Sequence, residues 1–159
     1  MRPTPDRVRE TLFNWLQPYM AGSDCLDLFA GTGALCLEAL SRGAGRVVMV
    51  EKAAPVVARL RQHVEMLGAE NALVVPADAV EYLRQVPQAF DIIFIDPPFR
   101  SDFIARCTEL IEAHGWIKPD GLVYVEAPSR MTLSLPATWE LIRSKKAGQV
   151  GYHLARKTG

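Results

Sequence analysis

The chain has 159 residues, 49% of them hydrophobic, and sets Lys+Arg 18 against Asp+Glu 18 for a net charge of +0. That size fits a single domain, 1–159, with enough apolar material for a sizeable core, and neutrality excludes a global field that would draw the protein to nucleic acid or membrane, so any polyanion must meet a local patch. The N-terminus lacks an apolar signal region and the apolar runs are too short for a bilayer, which predicts a soluble, cytoplasmic protein.

The first predicted element is a helical segment within residues 1–20, capped by Asp6, running to Leu16 and stopped by Pro18. Val8, Leu12, Phe13 and Leu16 share one face of it. Strand-like runs then alternate with amphipathic stretches: Cys25 to Phe29 and Ala34 to Ser41, Arg46 to Val50 and Pro55 to Leu67, Ala72 to Pro76 and Val80 to Gln85. Asp91 to Asp96, Phe103 to His114 and Gly121 to Glu126 continue the series. Alternation of this kind predicts an α/β fold, a doubly wound and mostly parallel sheet with helices on both faces. Val56, Val57, Leu60, Val64 and Leu67 recur at helical spacing, with Arg59, Arg61 and Glu65 outward and Gly68 as the stop. After Glu126 two strands, Leu133 to Lys145 and Gln149 to Arg156, read as a hairpin around Ala147-Gly148 that adds an antiparallel strand. Cys25, Cys36 and Cys107 sit in apolar segments and read as reduced core thiols. Trp15, Trp116 and Trp139 read as core or rim aromatics, and His63, His114 and His153 have no partner at ligand or triad spacing.

Chemistry concentrates where predicted strands end. Asp27-Leu28-Phe29-Ala30-Gly31-Thr32-Gly33 follows one strand and opens a helix. Glycine admits a ligand close to the backbone, and the free amides of a helix N-terminus donate to it. A dinucleotide fingerprint needs Gly or Ala where Cys36 stands, so that ligand is excluded. Asp27 would repel a pyrophosphate and suits a cationic or zwitterionic ligand. Glu51 ends the second strand, where doubly wound folds can hold ribose hydroxyls, and Asp78 follows the third, placed for an adenine amino group. Each acid has a plain structural role as well: a strand-end acid, a solvated charge beside Lys52, a helix N-cap. Their joint order ahead of Asp96 is what points to a nucleoside crevice.

Asp96-Pro97-Pro98-Phe99 ends the fourth strand. An amino group conjugated to a nucleobase or amide is a poor nucleophile, and an enzyme that alkylates it must accept its N–H bonds and fix its plane. Proline has no N–H and a locked φ, so its carbonyl is a well-placed acceptor in a turn that cannot relax into helix. Asp96 offers the second acceptor, and Phe99 a stacking face worth roughly 1–3 kcal/mol to a base.

With these motifs and the opening Arg2-Pro3-Thr4-x-Asp6-Arg7-Val8-Arg9-Glu10-x-Leu12-Phe13-Asn14, the sequence resembles the class I S-adenosylmethionine-dependent methyltransferases, and more closely the bacterial 16S rRNA (guanine-N2-)-methyltransferase D family. The resemblance implies a Rossmann-like fold over nearly the whole chain, S-adenosyl-L-methionine as cofactor, and methyl transfer to the exocyclic N2 of a guanine. The implied partner is 16S rRNA, within the small ribosomal subunit or its assembly intermediate, met by a monomer. By resemblance Gly31, Thr32 and Gly33 line the methionine end of the cofactor with Asp27 nearby, and Phe29 and Ala30 join the cofactor set. Glu51 beside Lys52 takes the ribose, and Asp78 and Ala79 the adenine. Asp96 and the Pro97 carbonyl, with Pro98, hold the target amine, and Phe99 stands where many relatives have tyrosine. Family members usually carry a basic segment ahead of Arg-Pro-Thr, and its absence is the expectation here because Met1 directly precedes Arg2. Arg2, Arg7, Arg9, Arg100, Arg143, Lys145 and Lys146 could contact phosphates. The alternatives are methylation of DNA adenine or a protein glutamine, and a non-catalytic RNA-binding module. Glutamine enzymes usually carry Asn at the Asp96 position, and a DNA enzyme would call for a recognition insertion.

Overall fold

The computed structural model describes residues 6–98 and 101–158. Its elements in chain order are α1 (Asp6–Met20), β1 (Asp24–Asp27), α2 (Ala34–Ser41), β2 (Arg46–Glu51), α3 (Ala54–Leu67) and β3 (Ala72–Pro76). There follow α4 (Ala79–Leu83), β4 (Phe90–Ile95), α5 (Ser101–His114), β5 (Ile117–Pro128), β6 (Trp139–Ala147) and β7 (Val150–Lys157). The seven strands form one sheet in the order β3-β2-β1-β4-β5-β7-β6. Pairing is parallel from β3 through β5, and β7 runs antiparallel to both its neighbours. Strand order reverses between β1 and β4, where sheets of this type leave a crevice at the strands' C-terminal ends.

Side-chain alternation divides each strand between two cores. Cys25, Val47, Met49, Ile92, Phe94, Leu122 and Tyr124 pack under α1, α2 and α3. Leu26, Val48, Val50, Ile93, Ile95, Val123 and Val125 pack under α4 and α5 with Ile104, Cys107 and Trp116. Strands buried on both faces read as continuous apolar runs, which is why they stand out in the sequence. The three cysteines are buried and unpaired. Burial raises the Cys25 thiol to about 11 and Cys107 to about 12, and also raises Cys36, so all three stay protonated. Among the described residues no helix is long and apolar enough to cross a membrane.

Several boundaries differ from expectation. Helix α1 continues through Pro18 to Met20, because Leu16 and Met20 are both fully buried and their burial outweighs the one backbone bond that proline removes. Leu67 is 61% exposed and does not belong to the buried face of α3, which rests on Val57 and Leu60. Gly68 ends α3 as expected, in the left-handed conformation at φ 63. Residues 133–138 form no strand; Pro136 lacks the amide that an extended ladder needs, and β6 starts at Trp139. β5 reaches from Ile117 to Pro128, longer at both ends than the apolar run suggests, because its last residues still pair with β7.

The two ends of the sheet are built differently. At the N-terminal ends of the strands, Lys118 bridges Asp91 (3.1 Å) and Asp24 (3.6 Å), and Arg46 lies 3.5 Å from Asp24. Asp91 also accepts the Asp24 amide at 2.8 Å. At the C-terminal ends the acids Asp27, Glu51 and Glu126 are buried.

Candidate active site

Asp27 closes β1, Glu51 closes β2, and Asp96 follows β4. Their positions relative to Cys25, Met49 and Phe94 put all three on the α1–α3 side of the sheet. The loop from Leu28 to Gly33 is tied down by backbone bonds: Leu28 N donates to Phe94 O, Ala30 N to Val50 O, and Gly33 N to Ala30 O. Gly31 and Gly33 have φ of 55 and 80, a region in which a Cβ is strained. A Cβ on Gly33 would also lie 2.7 Å from the Leu60 side chain.

Glu51 supports this loop from beneath. Its Oε1 accepts from Gly31 N at 3.0 Å and its Oε2 from Ala53 N at 3.0 Å, which fixes the carboxylate plane at the strand end. Lys52 beside it is exposed. Asp27 is 1% exposed and accepts from Phe29 N at 3.1 Å. Burial, reinforced by the nearby Asp96 and Glu51 charges and opposed by the Phe29 amide, pushes its carboxyl up to about 7. A buried acid in that state is half-charged at neutral pH and gains strongly from a cation placed beside it.

Asp27, Phe29, Ala30, Gly31, Thr32 and Asp96 line one cleft of about 570 Å³, within the usual size of small-molecule sites. Its far wall comes from α3, through Val56, Arg59, Leu60, Gln62, His63 and Met66. Sequence reasoning does not find this wall: Arg59 reads as an outward charge and His63 as an ordinary histidine, since helical spacing shows which face is apolar but not what stands opposite it. Pro97 and Pro98 are half-buried directly after Asp96. Phe99 and Arg100 lie outside the described residues, as do Arg2, Pro3 and Thr4.

Of the expected cofactor residues, Gly33, Glu51, Lys52, Asp78 and Ala79 are not among those lining the cleft. Asp78 caps α4, its Oδ2 accepting from Val80 N at 3.0 Å and Glu81 N at 3.2 Å, so its plain structural role is realised. Ala79 is buried in the α4–α5 core. Of the basic residues, Arg7, Arg143, Lys145 and Lys146 are exposed, while Arg9 is half-buried and pairs with Asp6 at 2.8 Å. Sequence reasoning also misses Glu126. It closes the apolar stretch of β5 as Glu51 closes β2, and it is 7% exposed on the same side of the sheet as Tyr124.

Comparison with known proteins adds the family. Residues 1–156 match the family described as "Conserved hypothetical protein 95". The chain is 45% identical over 158 residues to ribosomal RNA small subunit methyltransferase D of Escherichia coli strain K12, covering 99% of this chain and 80% of that protein. It is similar to the solved structure of the Escherichia coli protein yhhF, with TM-score 0.95 and 43% identity over 99% of this chain and 89% of that one. An RNA methyltransferase from Salinibacter ruber, solved with S-adenosyl-L-homocysteine, shares the fold at TM-score 0.74 and 14% identity, with 99% of this chain and 94% of that one covered.

Proposed function

The chain belongs to the conserved hypothetical protein 95 family, to which it matches over residues 1–156, and from that premise we propose that it transfers a methyl group from S-adenosyl-L-methionine to the exocyclic N2 of a guanine in 16S rRNA. The observation that carries this reading is one cleft holding both the glycine loop after β1 and Asp96 at the head of the Asp-Pro-Pro turn. The chain acts as a cytoplasmic monomer on the small ribosomal subunit or its assembly intermediate.

The residues fit the cofactor. Gly31 and Gly33 let it approach the backbone, buried Asp27 matches its cationic end, and Glu51 stands ready for the ribose with lone pairs left after its two backbone bonds. The family resemblance assigns Asp78 and Ala79, which stand outside the cleft lining, to the adenine end, with Phe29, Ala30, Thr32 and Lys52 completing the set. When bound, the cofactor supplies an activated methyl on a positively charged sulfur.

The protein's own share is position and charge. Asp96 and the Pro97 carbonyl would accept the two N–H bonds of the amine and so turn its lone pair toward the cleft that holds the cofactor. Pro98 holds the turn and Phe99 the plane of the base. Asp96 then stabilises the positive charge that grows on nitrogen and takes the proton it sheds. Holding two reactants in this geometry can supply roughly 7–11 kcal/mol of the barrier reduction. Small subunits lacking the modification, incubated with methyl-labelled cofactor and enzyme, should acquire label as one N2-methylguanine by mass spectrometry of the 16S rRNA. Label in adenine, in protein or nowhere would overturn the proposal.

A further inference from the structure

Alternation along the strands puts a fourth acid beside the three already described. In the β4–β5 register Ile95 pairs with Val125, so Asp96 and Glu126 are the next residues of adjacent parallel strands. Adjacent strands lie about 4.8 Å apart. Phe94 and Tyr124, one alternation earlier, meet ring to ring at 6.3 Å, which fixes the face on which both acids stand. Burial, reinforced by the Glu126 and Asp96 charges, keeps the Tyr124 hydroxyl protonated. It reaches toward the Glu126 carboxylate without a well-formed hydrogen bond to any described residue.

Glu126 is 7% exposed and already interacts with its surroundings. A carboxylate has about four acceptor sites, which leaves room for another donor. Burying such a group costs several kcal/mol unless donors meet it, and a further donor at its remaining acceptor sites would offset part of that cost. The Watson–Crick edge of guanine carries two neighbouring donor groups, N1–H and the N2 amine. On 2-aminopurine the amine remains but N1 is an acceptor. Two carboxylates one strand apart match the first pattern and repel the second.

We propose that Glu126 is a substrate-recognition residue that accepts the N1–H of the target guanine while Asp96 accepts at N2, so that the pair selects guanine among amino purines. The assignment rests on the guanine-N2 reading above. Glu126 touches the base but takes no part in methyl transfer, and it sets which base is held long enough to react.

The test uses small subunits reconstituted with 16S rRNA that carries either guanine or 2-aminopurine at the methylated position. The wild-type enzyme should prefer guanine by at least about 100-fold in kcat/KM, because the analogue leaves a buried acceptor unpaired. Glu126→Gln, whose amide can donate to the analogue's N1, should lose guanine activity and narrow that ratio at least about tenfold. Cofactor affinity should be unchanged. A ratio that stays the same while both substrates slow equally would make Glu126 structural and overturn the proposal. Should the variant not fold, the wild-type ratio decides, since a preference under about tenfold overturns the proposal and a larger one supports it. Failure to methylate guanine at all would instead sink the underlying reaction.

Discussion

Replacing Asp27 with Asn should make the ligand-free protein more stable, and more so as pH rises. The buried carboxyl titrates near 7 against an ordinary value of 3.8, a difference of about 3 units. At about 1.36 kcal/mol per unit this is about 4 kcal/mol of native-state penalty for the ionised form, an upper bound because water in the cleft screens it. The sign follows from which state holds the proton. Between about pH 4 and 7 the unfolded chain has released it and the folded chain has not, so wild-type stability falls as pH rises through that window and levels off above it. The Asn side chain keeps an oxygen for the Phe29 amide and carries no charge. The gap between the Asp27→Asn variant and wild type should therefore be near zero at pH 4 and widest above pH 7. Even about 1 kcal/mol would move the midpoint roughly 2–4 °C in a chain of this size, well within calorimetric reach. A gap that does not change with pH, or that closes as pH rises, would refute the assignment of Asp27 as a desolvated acid.

The same titration predicts that cofactor affinity weakens up to about tenfold per pH unit below pH 7, with proton release visible by calorimetry in buffers of different ionisation heat; uptake without proton release would contradict it. Asp96→Ala should leave cofactor affinity within about threefold and lower kcat by two orders of magnitude or more, the usual scale for removing one transition-state acceptor; single-turnover label transfer gives the answer. Gly33→Ala meets both a left-handed backbone and the Leu60 side chain at 2.7 Å, so it should cost about 1–3 kcal/mol in urea unfolding and weaken cofactor binding, and an unchanged midpoint would show that the loop relaxes freely. Replacing Arg143, Lys145 and Lys146 together by Ala should flatten the dependence of log Kd for 16S rRNA on log salt by up to about 3, whereas an unaltered slope would place the phosphates elsewhere.

Much of the fold was legible because both-sided burial writes itself into continuous apolar strands and helical repeats. Helix α2 and strand β3 match their expected limits, and Asp27, Glu51 and Asp96 fall at strand ends where an acid is visible on inspection. What stayed hidden depends on placement across the sheet. Glu126 closes a strand just as plainly, yet its meaning comes from the Ile95–Val125 register, which local pattern does not encode. The cleft wall on α3 escapes for a related reason: Gln62, His63 and Met66 occupy its polar or unpatterned side. Pro18 and Leu67 show the converse. A local rule predicts a helix stop and a buried side chain, and tertiary packing overrides both.

The ionic clasp of Lys118, Arg46, Asp24 and Asp91 secures four strands at the pole opposite the crevice. Mechanical integrity and chemistry are thereby assigned to opposite rims of one sheet. Sequence drift at the clasped rim is felt as a lower yield of folded molecules whose individual competence is intact, whereas drift at the open rim leaves sturdy molecules that do less. A collection of random variants, scored for soluble amount and for activity per folded molecule, would therefore sort itself along the strand axis.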